Sequence, residues 1–533
     1  GIGGTTGTYG SGNVNIAAGE LAIARSGNLT LSQDISGAGA LRRTGVGDLT
    51  LTGVASYAGL THLPDGGDLV FRNDTAPGTA GFTGADTVTI EPNGGDFSAP
   101  VVTNFTFDNT ISGFVLGKAG VAQDVTIAAP IQINGPITLH AGNLAINGAL
   151  AAQDNTSPIK LYASGAVTQS ATITANALAL FGSGAFNLSG SGTGNSVGIL
   201  AGGDGTTALG SLVFTNAGAL TIGSVNPTGI VVTGDVLIET LTGNLTLAQN
   251  ITTDSASETA VILNAGKDAA AGVPVGSDTS GNIIILGTRT IAMGDDGIED
   301  GIAQLMTGSI ADSTDVVDLV GFGSGNFRYG SDETTKNYTR ALTPGQVHAI
   351  YREQPTATGS LSGDTEITYG QEVPQYTLTG AGGVVNGDTV SGATGLLDAE
   401  FSSSDKLKVK EGGYQVVGAD FAALGYNVGG LTPLTLTVNP ITLTATGISV
   451  ANKVYDATQA AMVSGGQLDL AVTEPVSGDV VSLSIDGATG TFAQANVGTD
   501  LGVTLSGYTL TGVDAGNYSL QLPTNLKADI DPA

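Results

Sequence analysis

Gly27-Asn28-Leu29-Thr30-Leu31 and Gly47-Asp48-Leu49-Thr50-Leu51 are two copies of one five-residue motif, and the fold prediction rests on its recurrence. A third copy is Gly243-Asn244-Leu245-Thr246-Leu247, and Gly67-Asp68-Leu69-Val70-Phe71 is a looser one. The step from Gly27 to Gly47 to Gly67 is 20 residues each time, a coil length typical of solenoids. Gly with Asn or Asp is expected to form a corner with positive φ, and the alternating run a strand with one inward face. The repeat therefore predicts a right-handed parallel β-helix.

The composition indicates an all-β protein with a substantial core. Gly accounts for 83 of 533 residues, about double the usual share of roughly 7%. Because 41% of the residues are hydrophobic and no three-residue Gly period occurs, collagen and a Gly-rich disordered tract are excluded. The sequence shows neither a long amphipathic helical pattern nor the ~20 unbroken apolar residues of a membrane-spanning helix.

Charge and cysteine content limit the partners and the chemistry. The net charge of -30 would repel phosphate backbones, so we expect no nucleic acid partner. The absence of cysteine excludes disulfides, a thiolate metal site and a Cys nucleophile. The chain opens Gly1-Ile2-Gly3-Gly4 without a leader, which we interpret as a mature piece or fragment of a longer secreted protein.

The solenoid pattern is predicted to occupy residues 1–353, with a C-terminal cap at about 315–353. Aromatic and cationic residues gather there: Phe322, Phe327, Arg328, Tyr329, Tyr338, Arg340, His348, Tyr351 and Arg352. A cap is one interpretation, since the open end of a solenoid must be covered. A binding patch is the other.

The remaining sequence contains a longer repeat of about 90 residues. Its landmarks recur in the same order: Ile367-Thr368-Tyr369-Gly370 with Lys453-Val454-Tyr455-Asp456, Gly387-Asp388 with Gly478-Asp479, Gly425-Tyr426-Asn427 with Gly516-Asn517-Tyr518, and Asn439-Pro440 with Asp531-Pro532. Turn signals at this spacing are typical of small β-modules. We therefore predict two tandem β-domains at 354–440 and 441–533, and we expect the natural chain to continue beyond them.

The repeated coils and the Phe327-Arg328-Tyr329 segment resemble the filamentous haemagglutinin-like exoproteins of bacterial two-partner secretion. The two modules resemble MBG and YDG domains respectively, and Tyr455-Asp456-Ala457-Thr458 departs from the usual Y-D-G-T by one residue. The N-terminal secretion domain of that family, with its Asn-Pro-Asn signatures, is absent. The resemblance implies a cell-surface adhesin or matrix filament and carries over no catalytic residue.

Catalytic and metal-binding residues are predicted to be absent, and no cofactor is expected. β-Helix polysaccharide lyases and hydrolases need clustered carboxylates with cations, and the nearest cluster here is His62, Asp65, Asp68 and Arg72. A corner explains this sequence more simply, so we predict that the chain is not an enzyme. The acidic run from Asp295 to Asp300 would suit a structural Ca²⁺ ion, with a solvated loop as the alternative. The turn residues Asp486 and Asp514 are either ligands or Asx-turns.

These observations predict a section of a large secreted adhesin or extracellular filament, located at the bacterial cell surface, that acts in cell attachment or the biofilm matrix. The expected partners are the chain itself, surface or matrix glycans and proteins, and the outer-membrane secretion pore during export. A carbohydrate-binding exoprotein is the alternative, and a polysaccharide-degrading β-helix enzyme is a weaker one. Outward threonine rows would also suit ice binding, although the strands are irregular for that function.

Overall fold

The computed structural model describes residues 2–3, 10–294, 300–389 and 395–533. It forms two compact units: unit 1 contains Gly1–Pro355, Val385–Asp388 and Leu424–Tyr426, and unit 2 contains Thr356–Val384, Thr389–Ala423 and Asn427–Ala533. Within the described ranges, no helix is long and apolar enough to cross a membrane. The helical segments described are Val316–Val320, Ala419–Leu424 and the 3-10 turn Ala515–Asn517.

Unit 1 is a parallel β-solenoid of about 14 turns, which confirms the predicted fold class. Each strand pairs in parallel with the strand about one coil later, so the strands form rows along the solenoid. The first row contains Ile2–Gly3, Glu20–Ala24, Ala40–Thr44, Thr61–Leu63, Gly81–Gly84 and Thr106–Phe107. The second row contains Leu29–Leu31, Leu49–Leu51, Leu69–Arg72, Thr87–Glu91, Gly113–Leu116, Ile137–Ala141, Pro158–Ala163, Ile173–Phe181, Ser196–Gly202, Leu220–Ile222, Leu245–Leu247 and Ile283–Ile285.

A third row runs alongside them and contains Val101–Thr103, Val125–Ile127, Leu144–Ile146, Val167–Gln169, Ala185–Leu188, Ser211–Asn216, Val236–Thr240, Val261–Ala265, Ala303–Thr307, Val347–Tyr351 and Phe327–Arg328. Further strands join the second row through its two longest members, Ile173–Phe181 and Ser196–Gly202. They are Ile131–Ile133, Leu150–Ala152, Ile230–Val232, Ile251–Thr253 and Ile291–Ala292. Short rows are formed by Val14–Asn15, Ile35–Gly37 and Ala55–Tyr57, and by Val273–Pro274 with Glu353–Gln354.

The register of the second row places like residues over like. Leu29 pairs with Leu49, Thr30 with Thr50 and Leu31 with Leu51. Leu49 and Leu51 are buried at 1% exposure, and the threonine between them faces outward. The alternating pattern thus forms a continuous inner stack of apolar side chains, as predicted. Leu29 itself is only half-buried, although its place in the pattern predicts an inward residue.

The glycines of the repeated motif only partly play the role predicted for them. Gly243 adopts a positive φ of 78°, but Gly47 and Gly142 do not lie in that region. A Cβ on Gly47 would come within 2.3 Å of the Gly27 carbonyl oxygen, and one on Gly142 within 2.0 Å of the Ala122 oxygen. Glycine is needed at these corners because successive coils approach too closely for a side chain.

The Asn or Asp that follows the glycine connects the coils. Asp48 donates its backbone amide to Asn28 Oδ1 at 3.0 Å, and Asp68 donates its amide to Asp48 Oδ1 at 3.1 Å. The same bond joins the amide of Asn282 to Asn244 Oδ1 at 3.0 Å. These side chains therefore accept the amides of the following coil and form a polar ladder along the corner.

The aromatic and cationic residues predicted at about 315–353 are mostly buried. Phe327, Arg328, Tyr329, His348, Tyr351 and Arg352 are each at most 1% exposed, whereas Phe322 is 77% exposed. The Arg328 guanidinium donates to the carbonyls of Gly325, Phe327, Arg340 and Ala341. Side chains so enclosed cannot present a ligand-binding surface, so burial favours the interpretation as a cap over that as a binding patch.

Unit 2 consists of small sheets. The sequence predicted as the first module contributes Thr356–Ser362, Glu366–Thr368, Thr377–Gly382, Gly395–Leu396, Tyr414–Val417, Asn427–Thr432 and Leu434–Asn439. The second contributes Ile441–Val450, Lys453–Val454, Ala460–Ala461, Val463–Leu468, Ser482–Ser484, Thr489–Phe492, Gly498–Ser506, Thr509–Thr511, Tyr518–Gln521 and Lys527–Asp531. One buried cluster includes Tyr369 and Leu436 of the first module with Leu443 and Tyr518 of the second. The two modules therefore share a continuous core.

Candidate functional site

Three of the four candidate side chains at 62–72, those of His62, Asp65 and Arg72, contact neighbouring coils. His62 Nδ1 hydrogen-bonds to Thr83 Oγ1 at 2.9 Å, one coil later. Asp65 accepts the backbone amide of Gly45, and Arg72 pairs with Glu91 at 2.5 Å. These side chains contact neighbouring coils, which is a structural role in stacking.

Of the acidic residues considered as Ca²⁺ ligands, some lie outside the described residues, and Asp514 and Asp486 take part in turns. Residues 295–299 lie outside the described residues. Asp514 accepts the backbone amides of Ser403 and Val480, and these bonds, the one from Val480 above all, lower the pKa of its carboxyl. The amide of Asp486 donates to Ser484 Oγ. Among the described residues, no group of three or more His, Cys, Asp or Glu side chains is arranged to hold a metal ion.

Two buried arginines join coils from within: Arg43, which the sequence analysis did not single out, and Arg352, which belongs to the aromatic and cationic group at 315–353. Arg43 is ion-paired with Asp86, both side chains are at most 1% exposed, and Arg43 also donates to the carbonyls of Gly45, Gly47 and Gly67. Arg352 donates to Asp278 at 3.0 Å, with both side chains at most 3% exposed. Further hydrogen bonds offset part of the cost of burying these charges: the amide of Gly67 donates to Asp86, and Arg352 donates to the carbonyls of Ala265 and Gly281.

A stack of three half-buried aromatic rings lies on the second row of strands. Residues His140 and Tyr162 are paired in register, as are Tyr162 and Phe181. The ring centroids are 4.2 Å apart at an interplanar angle of 14° for the first pair, and 4.3 Å apart at 7° for the second. The sequence contains a signal for this stack, because the three residues recur at steps of one coil, 22 and 19 residues.

Glycine stands at both ends of the stack. Leu116 pairs with Leu139, so Gly117 lies next to His140 in the preceding coil. Leu180 pairs with Gly202, so Gly203 lies next to Phe181 in the following coil. Both glycines have positive φ, 78° and 70°, where a side chain would be strained. No side chain of the row therefore covers the outer faces of the His140 and Phe181 rings.

A concavity of about 530 Å³ surrounds the stack and combines apolar rings with polar groups. Its lining includes Lys118, Ser164, Ser183, Asp204 and Thr207 beside the three rings. Lys118 Nζ donates to the Pro92 carbonyl at 2.7 Å, and the Asp204 carboxylate accepts the amides of Thr206 and Thr207. The site therefore offers stacking faces with hydrogen-bonding groups around them.

Burial determines the charge state of the stack. Desolvation lowers the pKa of His140 to about 4, so the imidazole is neutral at physiological pH. Burial also raises the pKa of the Tyr162 phenol. Near neutral pH, the stack is an uncharged aromatic surface in a chain of net charge -30.

Residues 439–525 match the model of the YDG domain. No curated protein and no solved structure matches the chain. The resemblance of the last module to YDG domains is thus confirmed, and the assignment to filamentous haemagglutinin-like exoproteins stays a prediction. A YDG domain and a β-solenoid together fit an extracellular structural or adhesive protein.

Proposed function

We propose that this chain is a section of a secreted bacterial adhesin or extracellular filament at the cell surface. The observation that carries the proposal is the continuous stack of in-register coils in a chain that also contains a YDG domain. About 14 turns at ~4.8 Å per turn would extend the solenoid by roughly 65 Å. Such a design suits projection and connection, with many weak contacts adding up along the molecule.

In this proposal the chain has no catalytic residue and no cofactor. The candidate residues at 62–72 support it, because their hydrogen bonds join coils. The proposed partners are other copies of the chain, surface or matrix glycans and proteins, and the secretion pore during export. The acidic charge disfavours nucleic acid.

Electron microscopy and an attachment assay test the proposal together. The chain is coupled to beads, attachment to bacterial cells and biofilm matrix is counted, and the free chain is imaged. We expect attachment above that of beads carrying an unrelated acidic protein. Attachment no greater than this control would contradict an adhesive role, and release of sugars from matrix polysaccharide would indicate an enzyme.

Carbohydrate binding is the second candidate function, and the aromatic stack favours it. Sugar rings stack their C–H faces on exposed aromatic rings and hydrogen-bond to groups at the edge. The outer faces of His140 and Phe181, with Lys118 and Asp204 nearby, provide both. The net charge of -30 favours a neutral glycan over a sulfated or uronic one.

Calorimetric titration with cellohexaose, chitohexaose and a heparin hexasaccharide tests this candidate. We expect binding of a neutral hexasaccharide that Phe181→Leu weakens about tenfold, the factor for ~1.4 kcal/mol of lost stacking. Phe322→Leu is the matched control, because Phe322 is an exposed aromatic residue outside the stack. Equal weakening by both substitutions, or binding of heparin alone, would contradict a neutral glycan site at the stack.

A further inference from the structure

A tyrosine–aspartate–tyrosine arrangement occurs twice among the described residues. In unit 1, the hydroxyls of Tyr329 and Tyr426 donate to Asp388 Oδ2 at 2.7 and 2.8 Å. In unit 2, the hydroxyls of Tyr369 and Tyr518 donate to Asp479 Oδ2 at 2.5 and 2.6 Å. Each aspartate thus accepts hydrogen bonds from two tyrosines. One belongs to the Gly-Tyr-Asn or Gly-Asn-Tyr landmark near the end of the same module, and the other precedes that module in the sequence.

The two copies agree in detail. The ring planes of Tyr329 and Tyr426 meet edge to face at 64°, and those of Tyr369 and Tyr518 at 75°. The amide of Val385 donates to the Tyr426 hydroxyl, and the amide of Val476 donates to the Tyr518 hydroxyl. In both copies the aspartate amide closes a turn onto the valine carbonyl at 3.0 Å.

We call the aspartate with the late tyrosine of its module the socket, and the earlier tyrosine the plug. The two sockets are Asp388 with Tyr426 and Asp479 with Tyr518, and their plugs are Tyr329 and Tyr369. Both plugs are at most 2% exposed. A buried phenol that donates to a carboxylate is a charge-assisted hydrogen bond, which is stronger than a neutral one.

Tyr455 occupies the position of a third plug. The Lys453–Val454 strand places Val454 opposite Asp531, as Glu366–Thr368 places Thr368 opposite Asn439. The amide of Tyr455 then donates to the Asp531 carbonyl at 2.9 Å, and that of Tyr369 donates to the Asn439 carbonyl at 2.8 Å. Yet Tyr455 is 40% exposed, whereas Tyr369 is 2% exposed.

We propose that Tyr455 is a docking plug for a further β-module that carries a Val-x-Gly-Asp turn and a late tyrosine. Both sockets in the described part of the chain already hold tyrosines, so a second copy of the chain is not the proposed occupant. Continuity with the contact between Tyr369 and Asp479 identifies a module of the same design. Val454, which is 59% exposed beside Tyr455, provides apolar area for that contact.

A chain extended by one module tests the inference. Residues 441–533 are repeated after Pro532, so that the added copy follows a proline as the second module follows Pro440. We expect Tyr455→Phe to lower the melting temperature of the extended chain by several degrees and to leave that of the parent chain unchanged. Asp479→Asn in the added copy should have the same effect, and the two changes should not add.

Two controls make the result specific. Tyr369→Phe in the parent chain breaks an existing plug and should lower its melting temperature by a similar amount. Tyr508→Phe alters a buried tyrosine of the last module away from the socket and should act equally in both chains. Tyr455→Phe with the same effect in both chains, or an added copy that does not fold, would overturn the inference. Neither result affects the attachment assay, so the inference and the proposed function fail independently.

Discussion

The side-chain amide of Asn28 donates a 3.0 Å hydrogen bond to the carboxylate of Asp48, which stands at the same corner one coil later. Asp48 in turn donates its backbone amide to Asn28 and accepts that of Asp68. One residue thus connects three coils at a corner.

Asp48→Ala removes this connection and should destabilise the solenoid by about 1 kcal/mol, the typical net contribution of an intramolecular hydrogen bond. Asp48→Asn keeps an acceptor oxygen and is the matched control, with a smaller expected change. Equal loss of stability for both in chemical denaturation would show that the ladder contributes little.

The inward and outward positions of a strand should differ sharply in their tolerance of charge. Leu51 is 1% exposed between coils, so Leu51→Asp buries a carboxylate without a partner and should cost several kcal/mol. Thr50 faces outward, and Thr50→Asp should change the thermal unfolding temperature little. Similar shifts for the two substitutions would contradict the assignment of faces.

The buried pair Arg352 and Asp278 should depend on both partners. Arg352→Leu leaves Asp278 charged and buried, with an expected cost of about 3–5 kcal/mol. The double substitution Arg352→Leu with Asp278→Leu should cost less, because no unpaired charge remains. Urea unfolding measures the difference, and a double variant less stable than the single one would contradict this account of the pair.

Acid should weaken the solenoid through His140. Its pKa is lowered from 6.5 to about 4 in the folded chain, so the unfolded chain binds the proton more readily between these values. The stabilisation due to neutral His140 is fully present above pH 6.5 and is lost as the pH falls towards 4. His140→Phe keeps the ring stack and should reduce the loss of stability across this window. An NMR titration midpoint of His140 near 6.5 would contradict the expected shift.

The repeat at 27–71 is sufficient to predict the solenoid. Few other folds combine a 20-residue repeat with an alternating apolar strand in each copy. The role of Gly47 was not predictable, since sequence alone does not distinguish a positive φ from a close approach of two backbones. His140, Tyr162 and Phe181 recur at steps of one coil, which is a signal for their stack in the sequence. The aromatic residues near position 330 form a denser group in the sequence, but most of them are buried.

The contact between Tyr369 and Asp479 joins residues 110 positions apart. The order of the four landmarks predicts that the modules repeat. It does not predict that the tyrosine of one landmark hydrogen-bonds to the aspartate of another. Such partners depend on how the modules pack, which local patterns do not encode.

Attachment of beads coated with three forms of the chain measures whether adhesion depends on the repeated coils and modules or on a discrete site. The forms are the parent chain, a truncation that lacks residues 441–533, and a triple alanine variant at His62, Asp65 and Asp68. If adhesion and assembly depend on repeated coils and modules, the truncation should reduce attachment to bacterial cells and matrix and the triple variant should attach like the parent. Loss of attachment by the triple variant, with the truncation unaffected, would show that the chain works through a discrete site and would contradict this account.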